Sequence, residues 1–167
     1  GRRVATNVAA ADWTSGNKTL NRSFTTYGHQ SVTVGDDTEV YRETRQYQMH
    51  YNPTGPVYTL TAPVSIRWTN TEGQLLRQSA VNPTMSTSAA PTGSEAIASN
   101  NELTRATYTY DISGYRLQTR QFKTLPSSWL ASGSATDYIV VSDTDVVSHT
   151  GGSPDGKADV DLLGRAL

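Results

Sequence analysis

The sequence has no cysteine, only two phenylalanines and two methionines, and few hydrophobic residues of any kind. The absence of cysteine excludes a disulfide framework and a thiol nucleophile. Hydrophobic residues make up 35% of the 167 residues, whereas globular domains usually have about 45–50% on a count that includes glycine. The hydrophobic core is therefore expected to be thin, or to be shared with neighbouring chain.

An excess of charge of one sign is also missing. Fourteen Lys and Arg against 15 Asp and Glu give a formal net charge of −1, and the basic residues are scattered along the chain. Proteins that bind nucleic acid or anionic lipid through charge usually carry a basic cluster. No apolar run approaches the roughly 20 residues that a membrane-spanning helix needs. We therefore expect that this chain neither binds nucleic acid nor inserts into a membrane.

The residues that are abundant, namely Thr, Ser, Tyr and Val, favour pleated, half-exposed strands over helices. We predict an all-β fold, an antiparallel sheet of consecutive β-hairpins. The predicted strands cover 31–34, 38–51, 56–68, 74–81, 102–111, 115–123 and 136–148. The segment 82–101 is rich in Ser, Thr, Ala, Pro and Gly, which predicts a long flexible loop.

A turn pattern recurs along the chain: an aromatic or β-branched residue, then Asp, Asn or Thr, two variable residues, glycine, and an apolar residue shortly after. The Asp or Asn side chain can accept a bond from a nearby backbone N–H, and the glycine can take a positive φ. The predicted turn residues are Tyr51, Asn52 and Gly55, Asn70 and Gly73, Tyr110, Asp111 and Gly114, and Asp161 and Gly164. Each copy predicts a hairpin that packs on the next, because a unit this small has no core of its own.

The sequence resembles the tyrosine-aspartate (YD, or RHS-type) repeat family, whose repeats read approximately Tyr-Asp-x-x-Gly-Arg-Leu. The resemblance is good at Tyr110 to Gly114, at Asp161 to Arg165 and in the opening Gly1 to Val4, and several other copies fit the pattern poorly. It implies a β-sheet that spirals into a shell in large secreted or cell-surface proteins, including toxins that enclose a cargo. Residues 1–167 would then be a single all-β repeat region of a longer chain. Its partners would be flanking repeats of that chain or identical subunits.

Catalytic and metal-binding patterns do not stand out. His29, His50 and His149 have no second His or Cys at ligand spacing, and there is no Gly-x-Ser-x-Gly segment. We therefore predict a non-catalytic, structural protein without a cofactor or a metal ion. The many tyrosines leave an alternative open, because aromatic rings could form a platform for a glycan or a partner protein. Packing of these rings between neighbouring strands would equally explain why the chain has many tyrosines.

Gly114 provides the first test, since its turn is the copy nearest to the pattern. We predict a positive φ at Gly114, with Asp111 bonding back to the local backbone. Replacing Gly114 by Val should lower the free energy of unfolding by about 1–3 kcal/mol, because a β-branched residue is strained there. Denaturant unfolding of Gly114→Val beside the wild type measures this, and equal stabilities would contradict the predicted turn.

Overall fold

The computed structural model of the chain describes residues 2–11, 18–34, 36–52, 57–111, 113–146 and 158–160. These residues form one open ten-stranded sheet and no α-helix, which confirms the predicted all-β hairpin fold. The strands are β1 (Arg2–Ala11), β2 (Lys18–Val34), β3 (Asp37–Asn52), β4 (Val57–Leu60), β5 (Val64–Thr69), β6 (Leu75–Val81), β7 (Glu102–Tyr110), β8 (Arg116–Phe122), β9 (Tyr138–Val146) and β10 (Ala158–Val160). A short 3-10 turn, Ser99–Asn101, precedes β7.

The order of the strands in the sheet follows the order of the chain. It runs β1-β2-β3-β5-β6-β7-β8-β9-β10, and β4 pairs with one end of β3. Every neighbouring pair from β1 to β9 is antiparallel, whereas β10 runs parallel to the end of β9. No sequence pattern predicted β10. No pattern predicted β1 either, and the short strand expected at 31–34 is the end of the much longer β2.

The strand predicted at 56–68 is interrupted in the structure. Its two halves, β4 and β5, both pair with β3, but in different registers: Met49 lies opposite Leu60, whereas Gln46 lies opposite Ser65. The interruption contains Pro63, which has no N–H to donate to a strand ladder and so breaks the pairing. The prediction of one continuous strand was wrong because it did not weigh this proline.

One face of the sheet carries the core. Tyr47 and Met49 on β3 and Ile66 and Trp68 on β5 are buried, as the two-residue period of a strand requires. Among the residues that the structure describes, the buried hydrophobic cluster consists of Phe24, Tyr47, Met49, Val64, Ile66, Trp68 and Val81. On the opposite face of β3, Gln48 is exposed. The core is therefore one-sided and small, in keeping with the low hydrophobic content.

Two long loops lie on this core face, one over residues 82–98 after β6 and one over 123–137 after β8. The loop residues that pack against the core cluster are Met85, Ala90, Ile97 and Trp129. The backbone N–H of Tyr58 donates to the carbonyl of Thr87 at 2.7 Å, which ties the first loop to β4. The segment 82–101, which was predicted as a loop, therefore contains no strand. It is anchored to the sheet by packing and by hydrogen bonds.

Two glycines offer a matched test of this packing. Gly28 lies within β2, and a Cβ added there would meet nothing within 4 Å, whereas Gly93 has a φ of +88° and an added Cβ would come within 2.5 Å of Thr26 Oγ1. Gly28→Ala should raise the free energy of unfolding by about 0.5–1 kcal/mol, because alanine restricts the unfolded chain. Gly93→Ala should lower it by about 1–3 kcal/mol, through backbone strain and through the clash of the added Cβ with Thr26. Urea unfolding of both variants measures the difference, and effects of the same sign would contradict the packing of the first loop.

Candidate functional site

The turn at Gly114 has the geometry that the sequence pattern predicts. Gly114 has a φ of +89°, and its N–H donates to the carbonyl of Asp111 at 3.1 Å. Asp111 Oδ1 accepts a hydrogen bond from the backbone N–H of Tyr115 at 2.7 Å. The carboxylate therefore closes the hairpin between β7 and β8 from within the turn.

The turn between β5 and β6 repeats this arrangement. Gly73 has a φ of +85° and donates to the carbonyl of Asn70 at 3.1 Å, while Asn70 Oδ1 accepts from the N–H of Gln74 at 2.9 Å. A β-bulge follows each turn, at Leu76 in β6 and at Leu117 in β8. The two leucines are 41 positions apart (117 − 76), as are the two turn glycines (114 − 73). The hairpins β5–β6 and β7–β8 are therefore equivalent in turn and bulge.

The other predicted turn residues fall in different settings. Tyr51 and Asn52 end β3, and the ring of Tyr51 lies 4.6 Å from that of Tyr58, centroid to centroid. Tyr110 ends β7, and its hydroxyl donates to the carbonyl of Leu75 at 2.9 Å, which joins the two equivalent hairpins. The remaining predicted residues lie outside the described part of the chain: Gly55, Asp161 and Gly164.

A network of buried charges on the core face was not predicted from the sequence. Glu102 Oε1 accepts from Arg77 Nη2 at 3.0 Å and from Ser79 Oγ at 2.8 Å, and Glu102 Oε2 accepts from Arg105 Nη2 at 2.5 Å. All four residues are buried. A carboxylate away from water is stable only when cations and hydrogen bonds compensate it. This triad of Arg77, Glu102 and Arg105 therefore joins β6 to β7.

A β-bulge at Leu103 brings two of these charges to the same face. Val81 lies opposite Glu102, and Ala80 lies opposite Thr104, so Leu103 is the extra residue. In a regular strand, Glu102 and the residue three positions later would point to opposite faces. The bulge shifts the alternation of side chains between the two faces of the sheet by one residue. The side chains of Glu102 and Arg105 therefore both point to the core face.

The second loop completes the environment of the triad. Arg77 Nη1 and Arg105 Nη2 donate to the carbonyl of Trp129 at 2.8 and 2.9 Å, and Arg105 Nη1 donates to the carbonyl of Ala131. The Arg77 guanidinium also lies 4.0 Å from the ring centroid of Trp129 and 4.5 Å from that of Trp68. Burial and the nearby Arg105 lower the pKa of Arg77 to about 10, so Arg77 is still charged at neutral pH. The loop over 123–137 is thus bound to the guanidinium groups of Arg77 and Arg105, which lie beneath it.

A second group of charges fastens the first loop. Arg45 Nε donates to Glu43 Oε1 at 2.6 Å, and Trp68 Nε1 donates to Glu43 Oε2 at 2.8 Å. Arg45 Nη1 donates to the carbonyl of Glu95 at 2.8 Å, and the hydroxyl of Tyr47 donates to Glu95 Oε2 at 2.7 Å. Glu95 belongs to the first loop, so each loop is held by its own buried or half-buried charges.

An open cavity of about 420 Å³ lies beside the triad, between the second loop and the sheet. Its lining includes Val32, Tyr41, Trp68, Leu76, Thr107, Thr109 and Leu130. The rings of Tyr41 and Trp68 stack at 6.0 Å between centroids with an interplanar angle of 27°. Burial, and then a hydrogen bond to Glu39, raise the pKa of Tyr41 to about 12. The lining therefore includes the neutral, partly exposed ring of Tyr41, which stacks on the buried Trp68.

Metal-binding clusters and membrane helices are absent from the part of the chain that the structure describes. No three His, Cys, Asp or Glu side chains come together there to hold a metal ion. His29 and His50 lie apart in β2 and β3, and His149 lies outside the described residues. No helix in the described ranges is long and apolar enough to cross a bilayer.

No protein-family model matches the chain, and no curated protein or solved structure matches it either. The function must therefore be inferred from the hairpins, the charge network and the cavity themselves.

Glu102→Gln tests the charge network. The substitution keeps the size of the side chain and leaves two buried guanidinium groups without their carboxylate, so we expect the free energy of unfolding to fall by about 3–5 kcal/mol. Glu72→Gln is the control, because Glu72 lies exposed in the turn before β6 and its replacement should leave the stability unchanged. Urea unfolding measures both variants, and equal stabilities would contradict the role of the triad.

The hydrogen bonds of Glu95 predict that the free energy of unfolding depends on pH. Burial raises the pKa of Glu95, but hydrogen bonds from Tyr47 and Thr92 outweigh it, so the pKa lies below its ordinary value. The ionised carboxylate therefore favours the folded state above a pH of about 4.3, and this stabilisation is lost as the pH falls through the lowered pKa. The free energy of unfolding should fall less steeply with acidification in Glu95→Gln than in the wild type. Urea unfolding between about pH 6 and 3 measures this, and parallel profiles would contradict it.

Proposed function

We propose that the chain is a non-catalytic structural region of a large secreted or cell-surface protein, in which β-hairpins pack side by side as part of a scaffold or shell. The observation that carries this proposal is the equivalence of β5–β6 and β7–β8, which share a turn, a bulge and a 41-residue offset (114 − 73). A repeated hairpin is the expected unit of an extended sheet.

The equivalence extends beyond the hairpins into the loops. Val81 and Phe122 are also 41 positions apart (122 − 81), both are buried, and each directly precedes a loop on the core face. Each loop approaches the sheet at a glycine with positive φ: Gly93 lies against Thr26, and Gly133 lies against Phe122. The repeating unit is therefore one hairpin followed by one covering loop.

Each unit depends on its neighbours for burial. The hydrophobic cluster draws its members from β2, β3, β5 and β6. The triad joins β6 of one unit to β7 of the next, and the loop that covers it follows β8. Because no unit has a core of its own, stability must come from contacts between successive units, as in repeat proteins. The partners that fit this arrangement are flanking repeats of the same chain or identical subunits.

The edge of the sheet at β9 supports the same proposal. Within the described residues, β9 pairs with β10 only at 144–146. Ile139, Val140 and Val141 are 46, 45 and 61% exposed. An apolar strand with an open edge is a template for the addition of another strand. A further repeat or a second subunit could continue the sheet here.

The resemblance to the YD-repeat family agrees with this proposal. Asp111 and Gly114, on which the resemblance chiefly depends, close a hairpin turn by side-chain and backbone hydrogen bonds. Asn70 and Gly73 do the same with Asn in place of Asp. A change of this kind preserves the turn because both side chains present an oxygen acceptor at the same position.

Sedimentation of the 167-residue protein tests the proposal. We expect association that grows with concentration and that Val141→Lys reduces, because a charge on the exposed strand blocks edge pairing. Val40→Lys is the control: Val40 is also exposed, at 54%, but lies on β3 within the sheet. A strictly monomeric protein with a free energy of unfolding above about 10 kcal/mol, well within the range of self-sufficient domains, would contradict the scaffold proposal.

A further inference from the structure

We propose that the cavity between the second loop and the sheet binds a neutral sugar ring, with the partly exposed ring of Tyr41 as the stacking surface and the hydroxyls of Thr107 and Thr109 as hydrogen-bonding groups. This inference does not depend on the scaffold proposal, because it concerns one cavity and its own ligand. The volume of about 420 Å³ lies in the range of roughly 300–1,000 Å³ that is usual for small-molecule sites.

The ring of Tyr41 fits the apolar face of a sugar. One face of this ring stacks on Trp68, at 6.0 Å between centroids with an interplanar angle of 27°. Trp68 is buried and is held by its hydrogen bond to Glu43 at 2.8 Å and by an edge-to-face contact with Trp129, 5.9 Å away between centroids, so it supports Tyr41 and does not itself contact the ligand. A ring held in this way loses little conformational freedom when a ligand stacks on it. Tyr41 is only partly buried, so a ligand can reach it from solvent.

The opposite wall supplies hydroxyl groups. Thr107 and Thr109 are alternate residues of β7 and so point to the same face. Thr107 lies opposite Arg77, whose side chain is on the core face, which places both threonines on the cavity side of the sheet. Among the described residues neither hydroxyl has a hydrogen-bond partner. Both can therefore donate to and accept from the hydroxyls of a ligand.

The charges near the cavity indicate that the ligand is neutral. The two guanidinium groups that line it, Arg77 and Arg105, are already bound by Glu102 and by carbonyls of the second loop. An anion would have to displace a buried carboxylate, and a cation would meet two guanidinium groups. A ring with an apolar face and hydroxyls at its edge meets neither obstacle.

The test titrates the 167-residue protein with a panel of neutral disaccharides (maltose, cellobiose, lactose and N,N′-diacetylchitobiose) and follows the backbone amide resonances. At least one should bind with a Kd near about 1 mM and shift the amides of Thr107 and Thr109. The double variant with Thr107→Val and Thr109→Val should bind at least about tenfold more weakly. Thr104→Val is the control, because Thr104 lies on the same strand and points to the other face.

Two tyrosine variants separate stacking from folding. Tyr41→Ala should abolish binding, whereas Tyr41→Phe, which keeps the ring, should retain it. If Tyr41→Ala fails to fold, the double variant with Thr107→Val and Thr109→Val still tests the proposal, because valine has nearly the same size and shape as threonine. The proposal is overturned if no disaccharide of the panel shifts these amides at about 10 mM. It is equally overturned if binding survives in the double threonine variant or is lost in Thr104→Val.

Discussion

Glu102 is buried between two arginines, and this arrangement determines where the second loop lies. A carboxylate and two guanidinium groups on the core face leave hydrogen-bond donors that the sheet cannot satisfy, and the carbonyls of Trp129 and Ala131 accept them. Uncompensated, these groups would cost several kcal/mol. The second loop must therefore lie on the sheet, and its position forms one side of the cavity. The first loop is held in a similar way through Arg45 and Glu95.

Local chemistry explains why the hairpins were predictable. Asn70 with Gly73, and Asp111 with Gly114, form their turns from hydrogen bonds within five residues, so the pattern can be recognised without knowledge of the rest of the fold. The abundance of β-branched residues and tyrosine likewise indicated the fold class. The small core followed from the low hydrophobic content.

The site was harder to predict because it depends on long-range pairing. Glu102 and Arg105 share a face only because of the bulge at Leu103, which arises from the pairing of β7 with β6. One indication was present in the sequence: Glu43 and Arg45 occupy the same alternate positions of β3 as the buried Tyr47. Charges on an apolar face of a strand predict buried ion pairs. The contact of each loop with the sheet has no local pattern of this kind.

We expect each hairpin and its covering loop to be stabilised together as one unit. Native-state hydrogen exchange tests this expectation, because it measures the free energy of opening at each amide. We expect the amides of Lys123 and Ala131, which are hydrogen-bonded within the second loop, to open with the same free energy as those of Ser79 and Arg105 in β6 and β7. Loop amides that exchange far more readily, while the strands stay protected, would show that the loops open independently and would contradict this expectation.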